Sequence, residues 1–289
     1  MSDVIRLLEI GIAVHDAKAA TENLSQLFRA ASSDLIADTE NFAMRFTMCR
    51  VGDVDFEIME TASASGLIQR FIDHRGEGLH HIAFLVQDAE ALLQKLRRQG
   101  VPVLSDKPVL MANLKAFFVH PAYFGGILLE FVENLHPWLD GKSFEPQPAS
   151  PLSAGLLSGS TIKGIVAKVS NIDATMAALK MLGATDCAHA APSNIPQISC
   201  KLGNIALTLI DGTADVPEGH WLAGRNGLRR VDLELDDPAS CAQEAGASAA
   251  YRVVQQDGLP TSLFSNFFHG TAFGLYPRQH DRQALSATG

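Results

Sequence analysis

The sequence lacks the features that mark several large classes of protein. Its four cysteines show no CxxC spacing and no dense pattern, which argues against a disulfide scaffold and indicates reduced thiols. No apolar run approaches the length of a membrane-spanning helix, and no positively charged leader precedes the short apolar segment near residue 10. No basic cluster interrupts the formal net charge of −9, so neither nucleic acid nor an anionic membrane surface is an expected partner. We therefore expect a cytoplasmic protein.

Apolar residues, by contrast, are plentiful. They make up 47% of the 289 residues, and charged residues make up 19%, which is typical of a folded globular protein. The length suits two domains of ordinary size. Residues 137–160 are rich in Pro, Ser and Gly, so we interpret them as a linker between a first domain, 1–136, and a second domain, 161–289.

A pattern of strand, cap and helix occurs four times along the chain. Short apolar runs end at Asp16, Asp88, Asp173 and Asp237, whose side chains can cap the helices that follow. The fourth helix is the weakest, because it is short and poor in large apolar residues. Further strand-like runs follow each helix. The chain therefore predicts four β-α-β-β-β modules that form two domains of an α+β fold.

The modules can be aligned by hand, and the alignment gives four polar side chains of the first domain equivalent places. Glu9 falls opposite His81, and Glu57 falls opposite Glu130. Period-two alternation puts these side chains on one face of their strands, away from the large apolar neighbours that pack under the helices. A buried carboxylate is unfavourable by several kcal/mol unless it is paired, protonated or bound to a cation. The four positions together predict a metal site.

The second domain repeats the layout without the ligands. Its equivalent residues are Gly164, Thr208, Arg230 and Gly274, of which only Thr208 offers even a weak ligand atom. We expect this domain to be a degenerate copy that serves as a partner surface or as a wall of the pocket.

The first domain resembles the methylmalonyl-CoA epimerases, which belong to the vicinal-oxygen-chelate superfamily together with glyoxalase, bleomycin resistance proteins and dioxygenases. The resemblance rests on GEGLHHIAFLVQDAEALLQKLRRQGV at 76–101 and on AFFVHP and GGILLEFVE within 116–133. A looser likeness covers EIGIAV at 9–14 and GDVDFEIME at 52–60. The second domain matches in layout only.

This resemblance implies one divalent ion, held by Glu9, Glu57, His81 and Glu130. His81 and Glu130 match the family pattern, and Glu57 is an allowed variant. Glu9 departs from the pattern, because the family has a histidine there. Three carboxylates and one imidazole suit Mn²⁺ or Mg²⁺, with Co²⁺, Ni²⁺ and Zn²⁺ as alternatives. Glu130 would act as ligand and base, and Glu9 as ligand or base.

Five further polar residues have plainer interpretations. His80 should point to the opposite face of its strand from His81, and Glu60 and Glu133 alternate out of phase with the ligands and should be solvated. His120 should support a loop and is a weaker candidate for contact with substrate. Glu40 lies near the place where the epimerases carry a second catalytic carboxylate, but the local alignment is poor.

The function that the resemblance implies is that of a divalent-metal-dependent isomerase, epimerase or lyase. It would act at a carbon next to a carbonyl or thioester, through an enolate that the ion stabilises. The expected substrate is a small molecule, with acyl-CoA thioesters among the candidates, and the protein could form a homodimer. A metal-free small-molecule binding protein of the bleomycin-resistance type is the alternative. An extradiol dioxygenase is less expected, because those enzymes hold iron with two histidines and one carboxylate in the C-terminal domain.

Overall fold

The protein folds into two mixed β-sheets of eight strands each, with helices packed outside them. The structure, a computed structural model, describes residues 3–111, 114–133, 155–189, 195–213, 222–247, 251–254, 261–264 and 269–278. Within these ranges, no helix is both long and apolar enough to cross a membrane. The predicted α+β fold of four β-α-β-β-β modules is confirmed.

The first sheet has the strand order β2-β3-β4-β1-β5-β8-β7-β6, with the antiparallel pair β1 and β5 at its centre. Its strands are β1 (Val4–Ala13), β2 (Ile36–Asp38), β3 (Met44–Val51), β4 (Val54–Thr61), β5 (Gly78–Val86), β6 (Val109–Met111), β7 (Leu114–Val119) and β8 (Leu128–Glu133).

The second sheet repeats this order as β10-β11-β12-β9-β13-β16-β15-β14. Its strands are β9 (Thr161–Val169), β10 (Thr185–His189), β11 (Gln197–Leu202), β12 (Ile205–Asp211), β13 (Gly227–Leu235), β14 (Arg252–Val254), β15 (Thr261–Phe264) and β16 (Ala272–Pro277).

Side-chain caps start four of the five described helices. Asp16, Asp88 and Asp237 each accept a hydrogen bond from a backbone N–H of the first helical turn, as predicted. The prediction that Asp173 caps the third of the four expected helices is wrong: this helix starts one residue after Asn171, whose side chain takes the capping role. The helices are α1 (Ala17–Phe28), α2 (Leu67–Arg75), α3 (Ala89–Arg98), α4 (Ile172–Met181) and α5 (Pro238–Gly246).

The strand register shows an internal two-fold relation within each sheet. In the first sheet Gly11 on β1 pairs with His81 on β5 and with Glu57 on β4. Its counterpart, Ala83 on β5, pairs with Glu9 on β1 and with Glu130 on β8. The structure thus bears out the hand alignment, because each pair of equivalent residues has equivalent neighbours.

The same register recurs in the second sheet. Val166 on β9 pairs with Arg230 and Thr208, and Asp232 on β13 pairs with Gly164 and Gly274. The four residues that replace the ligands therefore occupy the same places in their sheet as the ligands do in theirs.

One apolar core joins the two halves of the chain. Phe273 of β16 lies with its ring centroid 5.4 Å from that of Phe28 and 6.4 Å from that of Phe56, and all three belong to one cluster of buried side chains. Residues 155–160 also contribute, because the buried Leu157 donates its backbone N–H to the carbonyl of Leu27. The rest of the expected linker lies outside the described residues, and the domain limits stay a prediction.

Candidate metal centre

Four ionisable side chains meet at the centre of the first sheet, on the face opposite α1 and α3. Glu9, Glu57, His81 and Glu130 come from four neighbouring strands and are between 1% and 6% exposed. Their apolar neighbours Ile10, Phe56, Ile82 and Phe131 face the opposite way and join the core beneath the helices. The alternation inferred from the sequence therefore places these four residues together.

The imidazole of His81 stands among the three carboxylates. Its Nε2 atom lies 3.1 Å from Glu130 Oε2, 3.4 Å from Glu9 Oε1 and 3.6 Å from Glu57 Oε2. Ligand atoms of Glu9, His81 and Glu130 all fall within 4.8 Å of one another. Three carboxylate oxygens and one imidazole nitrogen, buried and convergent, form a donor set that fits a hard or borderline divalent cation.

Without a cation, this cluster holds a proton. Burial alone would lower the pKa of His81, but hydrogen bonds to Glu130 and Glu9 and the charge of Glu57 outweigh it and raise that pKa to about 10. A metal ion that binds Nε2 must therefore displace a proton at neutral pH.

His80 does not point away from the site, so the interpretation from strand alternation is wrong. The register of β5 against β1 slips between His81 and Leu79, which puts a β-bulge at His80 and breaks the alternation. His80 lines the cavity, and its Nδ1 lies 3.0 Å from Nδ1 of His81. Burial and the charge of His81 lower the pKa of His80 to about 3, so His80 stays neutral. Its Nδ1 atom can therefore accept a hydrogen bond from the Nδ1–H group of His81. This contact leaves Nε2 of His81 facing the carboxylates.

Gly11 leaves the space that the imidazole occupies. A Cβ atom at this position would lie 2.3 Å from Nδ1 and Cε1 of His81, closer than real Cβ atoms come to any neighbour. No other residue type fits between β4 and β5 without moving His81.

A cavity of about 320 Å³ opens above the four side chains. Its lining is largely apolar and comes entirely from the first half of the chain, so the second half is not a wall of the pocket among the described residues. The other lining residues are Asp38, Asn41, Phe42, Met44, Phe46, Met59, Leu67, Ile68, His80, Leu104, Ser105, Val109, Phe117 and Phe118.

Glu60 and Glu133 are not solvated carboxylates, contrary to the prediction. Glu60 accepts a hydrogen bond from the N–H of Ala17 at the start of α1, and Glu133 accepts one from Ala89 at the start of α3. A carboxylate at a helix N-terminus is stabilised by the unpaired N–H groups and by the helix dipole. The two residues follow Glu57 and Glu130 by the same interval, so β4 and β8 each carry a proposed ligand and also anchor a helix.

The two remaining candidates lie outside the cavity lining. His120 accepts a hydrogen bond from the N–H of Ala122 and so supports the short 3-10 helix Pro121–Phe124, as its loop role predicted. Glu40 is exposed, and Asp38 is the carboxylate that this segment contributes to the cavity. No sequence pattern marks Asp38, because it sits on a three-residue strand at the sheet edge.

In the second sheet, a guanidinium stands at the place that His81 has in the first. Arg230 is buried and donates to Asp232 and to Ser262. Tyr276 donates to Asp232 in turn, and burial raises the pKa of Tyr276, which keeps its hydroxyl protonated. The second sheet thus contains a permanent positive charge, which is the guanidinium of Arg230. Valine replaces glycine at the position equivalent to Gly11.

Comparison with known proteins places the first half of the chain in a family. Residues 9–118 match the model of the Glyoxalase/Bleomycin resistance protein/Dioxygenase superfamily. An uncharacterised protein of Bacillus subtilis (strain 168), YqjC, is 33% identical over 132 residues, which are 44% of this chain and 91% of that protein. The chain belongs to this superfamily.

Two further relatives of the first half are methylmalonyl-CoA epimerases. The mitochondrial methylmalonyl-CoA epimerase of Mus musculus is 24% identical over 127 residues, 43% of this chain and 71% of that protein. The methylmalonyl-CoA epimerase from Mycobacterium tuberculosis, known from its crystal structure, is 30% identical in sequence to this chain, with a TM-score of 0.44. The match covers 48% of this chain and 93% of the epimerase chain.

Substitution of Gly11 should disturb the metal site, because the new Cβ would meet the imidazole of His81 and the end of the Met59 side chain. In Gly11→Ala the new Cβ displaces the imidazole, so the affinity for Mn²⁺ or Co²⁺, measured by titration calorimetry, should fall by about tenfold or more. Gly274→Ala is the matched control, because its Cβ would lie 2.3 Å from Oδ1 of Asp232 in the second sheet. Gly274→Ala should lower stability and leave metal affinity unchanged; equal losses of affinity in both variants would contradict this assignment.

Removal of the Arg230 guanidinium from the second sheet should lower the stability of the protein but leave its metal content unchanged. Arg230→Met leaves Asp232 buried without a positive charge beside it and should lower the free energy of unfolding in urea by about 3–5 kcal/mol. Arg230→Met combined with Asp232→Leu should recover most of that loss. Elemental analysis should give the same metal content for all three proteins, and a change by one equivalent would show that the second half holds a metal of its own.

Proposed function

We propose that the protein is a divalent-metal-dependent isomerase, epimerase or lyase that acts at a carbon next to a carbonyl group. One observation carries this proposal: three buried carboxylates converge on one buried imidazole at the closed end of a cavity. Buried carboxylates at this density are stable only with a cation or a shared proton, and an open cavity beside them gives a small molecule access.

Glu9, Glu57, His81 and Glu130 are the residues that we propose as ligands. The three carboxylates favour Mn²⁺ or Mg²⁺, while the imidazole also allows Co²⁺, Ni²⁺ or Zn²⁺. A cation bound there would supply Lewis-acid polarisation of a substrate oxygen.

Within this proposal, the carboxylates have a second task, which is to move a proton. An acidic C–H group next to a carbonyl needs a base at hydrogen-bonding distance, and the buried carboxylates at the cavity floor are placed for that. We propose Glu130 as ligand and base, because it makes the shortest contact with His81 and lies beside the wall residue Phe118. Glu9 acts as a further ligand or as the second base. His80 is a positioning residue, since it acts through His81.

The names of the relatives support this reaction class. Two curated relatives are methylmalonyl-CoA epimerases, from Mus musculus and Homo sapiens, at 24% and 25% identity. An acyl-CoA thioester is therefore one substrate class to test. A homodimer and a cytoplasmic location stay predictions.

A metal-free binding protein is the second candidate, and one observation favours it. Nε2 of His81 contacts all three carboxylates, so a protonated imidazole can compensate part of their charge without a metal. Ring-cleaving dioxygenase chemistry fits less well, because the cluster offers one imidazole where such iron sites use two.

Metal binding should be stoichiometric and should release a proton. After reconstitution, elemental analysis should return about one divalent ion per chain under the single-site assignment. Because the folded-state pKa of His81 is raised, the metal-free site is protonated below about pH 10. Apparent affinity should therefore rise by up to about tenfold per pH unit between pH 6 and 8. Calorimetry in buffers of different ionisation enthalpy measures the proton release. Protein that takes up none of the five metals, with unchanged thermal stability, would favour the binding-protein candidate.

Glu9→His tests which role Glu9 has. As a ligand, histidine at this position should retain the metal and shift preference toward Co²⁺, Ni²⁺ or Zn²⁺. If Glu9 is a base instead, the substitution should leave the metal preference unchanged. It should slow the exchange of the substrate's α-proton with deuterated solvent by about 10²-fold or more. Unchanged preference together with unchanged exchange would show that Glu9 has neither role.

A further inference from the structure

We infer that the cavity takes an uncharged carbonyl compound with an apolar body of about aromatic size, and not a carboxylate of the malonyl type. The inference rests on the proposed function and narrows its substrate class. It comes from the charge of the cavity floor and from the residues of its wall and mouth.

The floor of the cavity stays negative when a metal is bound. Glu9, Glu57 and Glu130 carry three negative charges, and a divalent cation with a neutral imidazole carries two positive ones. One net negative charge remains in a site that water reaches poorly, where like charges repel more strongly than in bulk water. Asp38 adds a further carboxylate to the lining.

The cavity wall offers no compensating positive charge. Among the lining residues that the structure describes, none is a lysine or an arginine. A substrate carboxylate would therefore enter a negative site without a counter-charge. An uncharged ketone or diketone brings oxygen atoms to the floor without this repulsion.

The mouth and the wall are suited to an apolar body. Leu67 and Leu104 line the cavity although they are 53% and 55% exposed, so they form an apolar rim at its opening. Pockets lined mainly by apolar side chains bind the apolar part of a ligand. Inside, the ring of Phe118 lies edge-to-face with that of His81 at 5.7 Å and with that of Phe42 at 5.8 Å. These rings border the space next to the carboxylates, where an aryl or branched alkyl group would pack.

A pair of nearly isosteric probes tests the inference. Phenylpropanedione and phenylglyoxylate share the phenyl ring and the α-keto group and differ by a methyl group in place of a charged oxygen. Titration calorimetry with reconstituted protein should show that the dione binds at least about tenfold more tightly. Leu104→Arg introduces a positive charge at the mouth and should shift the affinity ratio toward phenylglyoxylate by about threefold or more. Leu104→Gln, which is polar and uncharged, is the matched control and should leave the ratio unchanged.

Metal content, measured on the same samples, distinguishes a failure of this inference from a failure of the proposed function. One bound metal with equal or tighter binding of phenylglyoxylate by the wild-type protein would overturn this inference and leave the proposed function standing. Wild-type protein that holds no metal would overturn the proposed function and this inference with it. One bound metal, preference for the dione, and a shift only in Leu104→Arg would support both.

Discussion

The first half of the chain depends on one electrostatic constraint: three carboxylates are held out of water around a single imidazole. Each of these groups alone would be expelled from a protein interior or neutralised. Together they are stable because His81 carries a proton or because a cation takes its place. The neighbouring structure serves this arrangement. Gly11 leaves room for the imidazole, His80 fixes the face that it presents, and the central pairing of β1 with β5 brings opposite modules together.

The second half shows the same constraint satisfied in another way. Its register is that of the first sheet, yet the central position holds Arg230, whose positive charge is permanent and whose partner Asp232 lies on the same strand. A guanidinium needs neither a metal nor a proton to balance a buried carboxylate. Val166, which pairs with Arg230 across the strands, belongs to a buried apolar cluster with Ile210 and Leu222. The two halves thus retain one backbone plan with two different interiors.

Much of this could be predicted from the sequence, because local signals and tertiary structure agree there. The caps at Asp16 and Asp88 and the four ligand positions follow from patterns that a strand or a helix start imposes locally. Three features could not be predicted, for separate physical reasons. The bulge at His80 depends on how β5 pairs with a distant strand. Helix α2 begins after Gly66, which has no side chain to cap it. The hydrogen bond from Ala17 to Glu60 forms only when α1 docks against the end of β4.

The shared core has a consequence for how the chain can change over time. Phe273 of the second half packs against Phe28 and Phe56 of the first, so the two sheets protect each other's apolar surface. Removal of the second half would expose that surface, even though this half lacks the ligand set. Selection on its interior therefore acts through packing, and any residue that fills space and balances charge is acceptable there. Substitutions inside the second half are therefore constrained first by its packing against Phe28 and Phe56.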